Sequence, residues 1–165
     1  MPDWILFIAF WFHMLVTVLW LGILGTGSFW VIPKIKTLSD PDQQIDWMVS
    51  SSRQIITVSW LGISLLTVSG LFQMSDNVNY EGLLSFGNLW SLAILSKHVV
   101  FLVMVILTGL LAGNYFSVLK REQIRFKSGL DYSIEDIFQR IERVIRTNFW
   151  LGALTLAFTA LARIS

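Results

Sequence analysis

The chain holds two histidines, His13 and His98, and each stands inside a run of apolar side chains. An ionisable side chain in such a run is costly, and its default reading is functional, with a partner to be named. A neutral imidazole offers one ring nitrogen as a lone-pair donor, so two of them suit metal ligation or an axial pair on a planar metal macrocycle. Lys97, directly before His98, is a third charged group among apolar neighbours. It can pair with a propionate, a substrate carboxylate or a helix carbonyl, or snorkel toward the surface. Trp20, seven positions after His13, shares its helical face with Thr17, Leu24 and Gly27 and is expected to pack near a bound ring. There is no cysteine, which removes disulfides, thiolate metal sites, iron–sulfur clusters and covalent c-type haem. Metal ligands are therefore sought at His13 and His98, and cofactor contacts at His13, His98, Trp20 and Lys97.

The elements that must position these residues are membrane helices. Of the 165 residues, 55% are hydrophobic and eight are tryptophan, and the mean hydropathy is +0.65, beyond an ordinary soluble domain. Four runs reach the ~20 apolar residues that a bilayer crossing needs: 4–32, 55–74, 89–119 and about 147–164. They occupy most of the chain. The expectation is an all-α, polytopic four-helix bundle, up-down-up-down, forming a single transmembrane domain over 1–165. The first run has no basic leader and no A-x-A site, so it is read as a helix and not a cleaved signal.

Positive residues set the orientation. Lys34, Lys36 and Arg53 lie in the first connection and Lys120, Arg121, Arg125, Lys127, Arg140, Arg143 and Arg146 in the third, whereas the second carries only Asp76 and Glu81. Both termini are therefore expected on the extracytoplasmic side. The basic residues are topology signals balanced by acids, and no nucleic-acid partner is expected at a formal charge of +1. Ser133 and Asp136 resemble a capping box. Ile134, Ile137, Phe138, Ile141 and Ile145 then recur at helical spacing. A short amphipathic cytoplasmic helix is expected before the fourth span, lying on the membrane, extending that span or docking a partner. Trp-Leu-Gly occurs at 20–22, 60–62 and 150–152, a weak repeat of a kind common in membrane helices.

His13 lies nine residues after Trp4 and His98 nine residues after Leu89, so at 1.5 Å per residue both fall at about one depth, in the outer half of the bilayer. In an alternating bundle the first and third helices are parallel and can face each other across the core, where bundles build cofactor sites. That geometry suits a haem b held between two imidazoles. Copper is the alternative, since His and Met suit it. Met14 and Met104, however, point away from their neighbouring histidines on the helical period.

The pattern H-x6-W-[LFA]-[GA] at His13, Trp20 and Gly22, with Pro33 closing the first helix, Lys97 opening an apolar run to Leu111, and Gly70 late in the second helix, resembles a known superfamily. It joins CopD-like copper-resistance membrane domains with HemJ-like four-helix protoporphyrinogen oxidases. The resemblance covers most of the chain by architecture and few residues by motif. It implies bound haem b and functional roles for His13 and, if the chain is HemJ-like, a catalytic Lys97. The chain departs from HemJ in having Lys34 after Pro33, where HemJ has arginine, and in placing His98 directly after the lysine. The stretch KHVVFLVMV is closer to small CopD-like proteins.

The expected function is a membrane b-type haem protein, more an electron-transfer subunit than a stand-alone enzyme. Its expected partners are membrane lipid, other membrane subunits or a second copy, and a quinol or an extracytoplasmic redox protein. CopD-like copper handling, a HemJ-like oxidase and a structural accessory subunit are the alternatives. No phosphate-binding glycine loop, nucleophile elbow or intramembrane carboxylate pair competes.

Overall fold

A computed structural model describes residues 3–75, 89–130 and 134–164. Among them there is no strand. Six helical segments, α1 (Asp3–Thr26), α2 (Ile32–Lys36), α3 (Pro41–Ser75), α4 (Leu89–Leu110), α5 (Phe116–Lys127) and α6 (Glu135–Ile164), are present. Two π turns, Gly27–Val31 and Leu111–Tyr115, join α1 to α2 and α4 to α5 without a break. Four continuous rods result, each long and apolar enough to cross a membrane. The proposed capping serine, Ser133, and the acids Asp76 and Glu81 lie outside the described residues.

The rods run further than the apolar stretches suggest. Pro33 does not close the first helix, because the π turn lets the Ile32 N–H reach Gly27 O and the proline then sits in the first turn of α2, which continues to Lys36. A missing N–H is tolerated at that position. The first connection shrinks to the few residues between Lys36 and Pro41. There the Asp40 side chain accepts from Asp42 N at 3.0 Å, with Pro41 opening the next helix. Positions 41–54 are helical because Ile45, Met48, Val49, Ser52 and Ile55 form one buried stripe. The intervening acids, glutamines and serines hide that stripe from a hydropathy reading. α5 ends in a Schellman motif, with Leu130 N donating to Arg125 O, Gly129 N donating to Phe126 O, and Gly129 at φ 67°.

The stripe Ile137, Phe138, Ile141 and Ile145 is buried, and α6 runs unbroken through it, so it belongs to the same helix as the fourth apolar stretch. These side chains close on Ile35, Ile45, Met48 and Leu119 in a core at the end carrying the α2–α3 and α5–α6 connections. That end is called basal here and the opposite one terminal. Lys36 and Arg146 both pair with Glu142 there.

α1 packs on α3, and α4 on α6, more extensively than any other pairs, with α1 against α6 and α3 against α5 joining the two pairs. Contacting numbers rise on one helix as they fall on the next: Ala9 with Gln73, His13 with Ser69 and Trp20 with Ser59 on α1 and α3. On α4 and α6, Thr108 meets Asn148, and Met104 lies against Gly152.

Candidate functional site

The site follows from which helical faces carry polar groups inward. The inward line of α1 runs Val16, Trp20, Leu24 and Gly27, all buried. Prolonged one turn toward the terminal end, it reaches His13. The His13 ring lies on α3, with Nδ1 2.8 Å from Ser69 Oγ and Cε1 3.5 Å from where a Cβ of Gly70 would stand. Ser69 spends its single hydroxyl proton on Leu65 O at 2.7 Å. With its proton there, the hydroxyl accepts from His13 Nδ1–H, the arrangement that leaves Nε2 with its lone pair; donation to Nδ1 instead would reverse the tautomer.

His98 reaches the same protonation state by another route. Its Nδ1 is 2.7 Å from Ile94 O one turn back. A carbonyl has no proton to give, so Nδ1 donates and Nε2 again keeps its lone pair. Each imidazole is thus held by one second-sphere acceptor, as in protein sites where a metal-binding histidine has its other nitrogen fixed by a carbonyl or hydroxyl.

The two histidines are at similar levels. Trp20 meets Phe101 edge to face at 6.2 Å, and a Cβ at Gly152 would touch both Leu21 and Met104. Position 13 of α1 is therefore level with about residues 94–96 of α4, and His98 stands ~3–6 Å further toward the basal end. They do not share one line. The buried stripe of α4 passes Ala93, Met104, Thr108 and, beyond its end, Leu111. By helical period Lys97 lies on this stripe and His98 is 100° to its side. Lys97 thus stands on the inward stripe of α4 at about the level of His13, and no direct contact joins His13 to Lys97 or to His98 among the described residues.

Trp20 has a structural task of its own. It is buried, donates from Nε1 to Ser59 Oγ at 2.9 Å, and rests over Gly62, where a Cβ would come within 3.2 Å of Cγ. Seven residues separate it from His13, about 10 Å along the helix. With Phe101 it walls off the site on the basal side.

Ser69 and Gln73, whose Nε2 donates to Ala9 O at 3.1 Å, are the polar residues here that sequence reasoning passed over. The available signal was the line Ser52, Ser59, Ile63, Leu66 and Ser69 on one face of α3, every member of it buried. The methionines do not gather at the site. Met14 is 66% exposed, and Met104 is buried against Gly152. Among the described residues no three His, Cys, Asp or Glu side chains cluster as a metal site. Comparisons with protein-family models, with curated proteins and with solved structures find no match to this chain.

Proposed function

We propose that the chain is an integral membrane b-type haem protein, and that His13 and His98, in the terminal half of the bundle, are the residues that would hold the haem. The observation that carries the proposal is a pair of imidazoles at similar depth, each with Nδ1 held by an oxygen of its surroundings, Ser69 Oγ at 2.8 Å and Ile94 O at 2.7 Å. That hold leaves Nε2 of each ring as the nitrogen that would ligate. Bound haem iron supplies one-electron exchange. The protein holds the imidazoles in one tautomer, offers Lys97 to a propionate, and shields the basal side with Trp20 and Phe101. The opposed numbering of contacting helices supports an up-down-up-down course, and the basic residues of the basal connections support placing that end in the cytoplasm. Both termini are then extracytoplasmic, and a quinol or an extracytoplasmic redox protein is the electron partner. Copper is disfavoured because the methionines do not gather at the histidines: Met14 is 66% exposed and Met104 is buried against Gly152.

A second reading draws on Lys97, which lies on the inward stripe of α4 at about the level of His13. These are the two residues that the HemJ resemblance marks as functional, and together they would serve a porphyrinogen oxidase. A reduced-minus-oxidised visible spectrum of the detergent-purified chain, with metal analysis, tests both. The electron-transfer reading expects a low-spin b-type spectrum lost in His13→Ala and in His98→Ala. A haem spectrum that survives His98→Ala, with porphyrinogen oxidation lost in Lys97→Ala, would move the assignment to the oxidase. A folded chain grown with ample haem and showing no haem absorbance would refute both.

A further inference from the structure

At the basal end, α3 and α5 enclose a groove of about 470 Å³ lined by Asp46, Val49, Ser50, Arg53, Lys120, Gln123 and Ile124. One end is closed by a polar bridge. Asp46 accepts from Gln123 Nε2 at 2.7 Å, and its carboxylate lies 3.0 Å from Lys127 Nζ. The one carboxylate of the lining is thereby committed to donors. Two turns along α3 from Asp46, Arg53 makes no ion pair among the described residues. Lys120, one turn back along α5 from Gln123 and Ile124, has a cation–π contact with its own-helix Phe116 at 5.1 Å and no ion pair among the described residues. The groove therefore presents two uncommitted cations and the Ser50 hydroxyl around an apolar floor at Val49.

Its level in the fold identifies the ligand class. Arg53 stands two residues before the apolar run that begins at Ile55, and Lys120 directly follows the one that ends at Leu119. Both cations thus stand where the apolar surface of two rods gives way to polar surface. Ile124 in the lining is 65% exposed, supplying a surface for acyl chains next to the charges. A phosphodiester matches two cations and a hydroxyl donor, and one carried by an acyl-bearing molecule matches the apolar flank.

We propose that this groove binds the phosphate of an anionic glycerophospholipid, held between Arg53 and Lys120. The inference rests on the transmembrane reading and is independent of haem. The test uses the full chain purified in dodecyl maltoside and stripped of lipid. Phosphatidylglycerol, phosphatidylcholine or inorganic phosphate is titrated in, and the thermal midpoint is followed by tryptophan fluorescence. Phosphatidylglycerol is expected to raise the midpoint saturably and phosphatidylcholine to leave it unchanged. At about 1 kcal/mol per interfacial basic residue, Arg53→Gln or Lys120→Gln should each weaken apparent affinity about fivefold, and the double variant about thirtyfold. Arg140→Gln, exposed on the basal part of α6, should bind as the parent does. Equal binding by the double variant and the parent, or equal loss in Arg140→Gln, would overturn the site. A midpoint shift produced as well by inorganic phosphate would overturn a lipid as its occupant. A haem spectrum that is absent while the lipid response is intact would count against the function above and leave this inference standing.

Discussion

The basal and terminal halves of the same four rods are built on opposite plans. Toward the basal end, inward positions of every rod carry buried apolar side chains, among them Ile32, Ile45, Met48, Leu119, Phe138, Ile141 and Ile145. Phe29, Phe149 and Trp150 pack edge to face with centroids 5.3–6.4 Å apart. Toward the terminal end, no side chain of α1 from Trp4 to Leu15 is buried. The inward positions carry His13, Ser69, Gln73 and Lys97 beside the buried Leu66, Met74, Trp90 and Ala93. An apolar core tolerates polar groups where each finds a partner. His13 and Ser69 find one another and Gln73 finds the Ala9 carbonyl. The difference teaches that rigidity and chemistry are separated along the helix axes, the basal core fixing the rods so that the terminal ends can hold polar side chains in defined orientations.

The strongest way to break this comparison is to delete the same side chain from each half. Phe138, 1% exposed in the basal core, should cost about 3–5 kcal/mol when replaced by alanine. Phe7, 70% exposed near the terminal end, should cost within ~0.5 kcal/mol. Denaturation of both variants in one detergent measures the contrast. Similar losses would show that the terminal half is as tightly built as the basal one.

A smaller contrast comes from adding a methyl group. At Gly25 a Cβ would stand 2.9 Å from Phe149 Cε2. That stiff ring is held between Phe29 and Trp150 and cannot yield cheaply, so Gly25→Ala should destabilise by about 1–3 kcal/mol. At Gly70 the nearest atom to a Cβ is His13 Cε1 at 3.5 Å, an ordinary contact. Gly70→Ala should leave the thermal midpoint within about 2 °C of the parent.

Serine removal sharpens the functional side. Ser59→Ala strips the buried Trp20 indole of its acceptor and should cost about 1 kcal/mol of stability. Ser69→Ala should change stability less, because its partner is only partly buried. Freed of its acceptor, however, the His13 ring can turn or change tautomer, and cofactor affinity should fall roughly 10–100-fold. Haem retained per folded protein separates the two variants, and equal retention would assign Ser69 a structural role alone.

Helix number and apolar character were legible in the sequence because lipid-facing runs are long and nearly uninterrupted. The lengths were not. The basal extensions mix buried isoleucines and methionine with acids and glutamines, which averages their hydropathy away. At the site, residue types were legible and partners were not. His13, His98 and Lys97 stand out as ionisable groups in apolar surroundings, but which nitrogen each imidazole keeps depends on Ser69, 56 positions away, and on the Ile94 carbonyl. Trp20 shows the limit of face arithmetic. It does share the His13 stripe, yet its indole is turned to Ser59 by a contact between helices that periodicity along one helix does not contain.

The smallest expected effect concerns charge at the basal surface. Asp46 lies outside the apolar stretches, and its carboxyl is held below the usual value of 3.8, first by the Gln123 hydrogen bond and then by Lys127. Lys127 is raised above 10.5, chiefly by its hydrogen bond to Asp46. A carboxyl depressed on folding contributes stability that is complete above its unfolded value and lost as pH falls through its folded one. A raised lysine contributes stability that is complete below its unfolded value and lost as pH rises through its folded one. The pair should therefore support the α3–α5 contact on a plateau between about pH 4 and pH 10, with losses on both sides. Both groups are open to water, so the contribution is slight and should fade further at high ionic strength. Asp46→Asn should flatten the acid limb of the midpoint-against-pH curve at low salt and leave haem retention unchanged. An acid limb unaltered in that variant would show that the Asp46 bridge does not set the acid side of the curve.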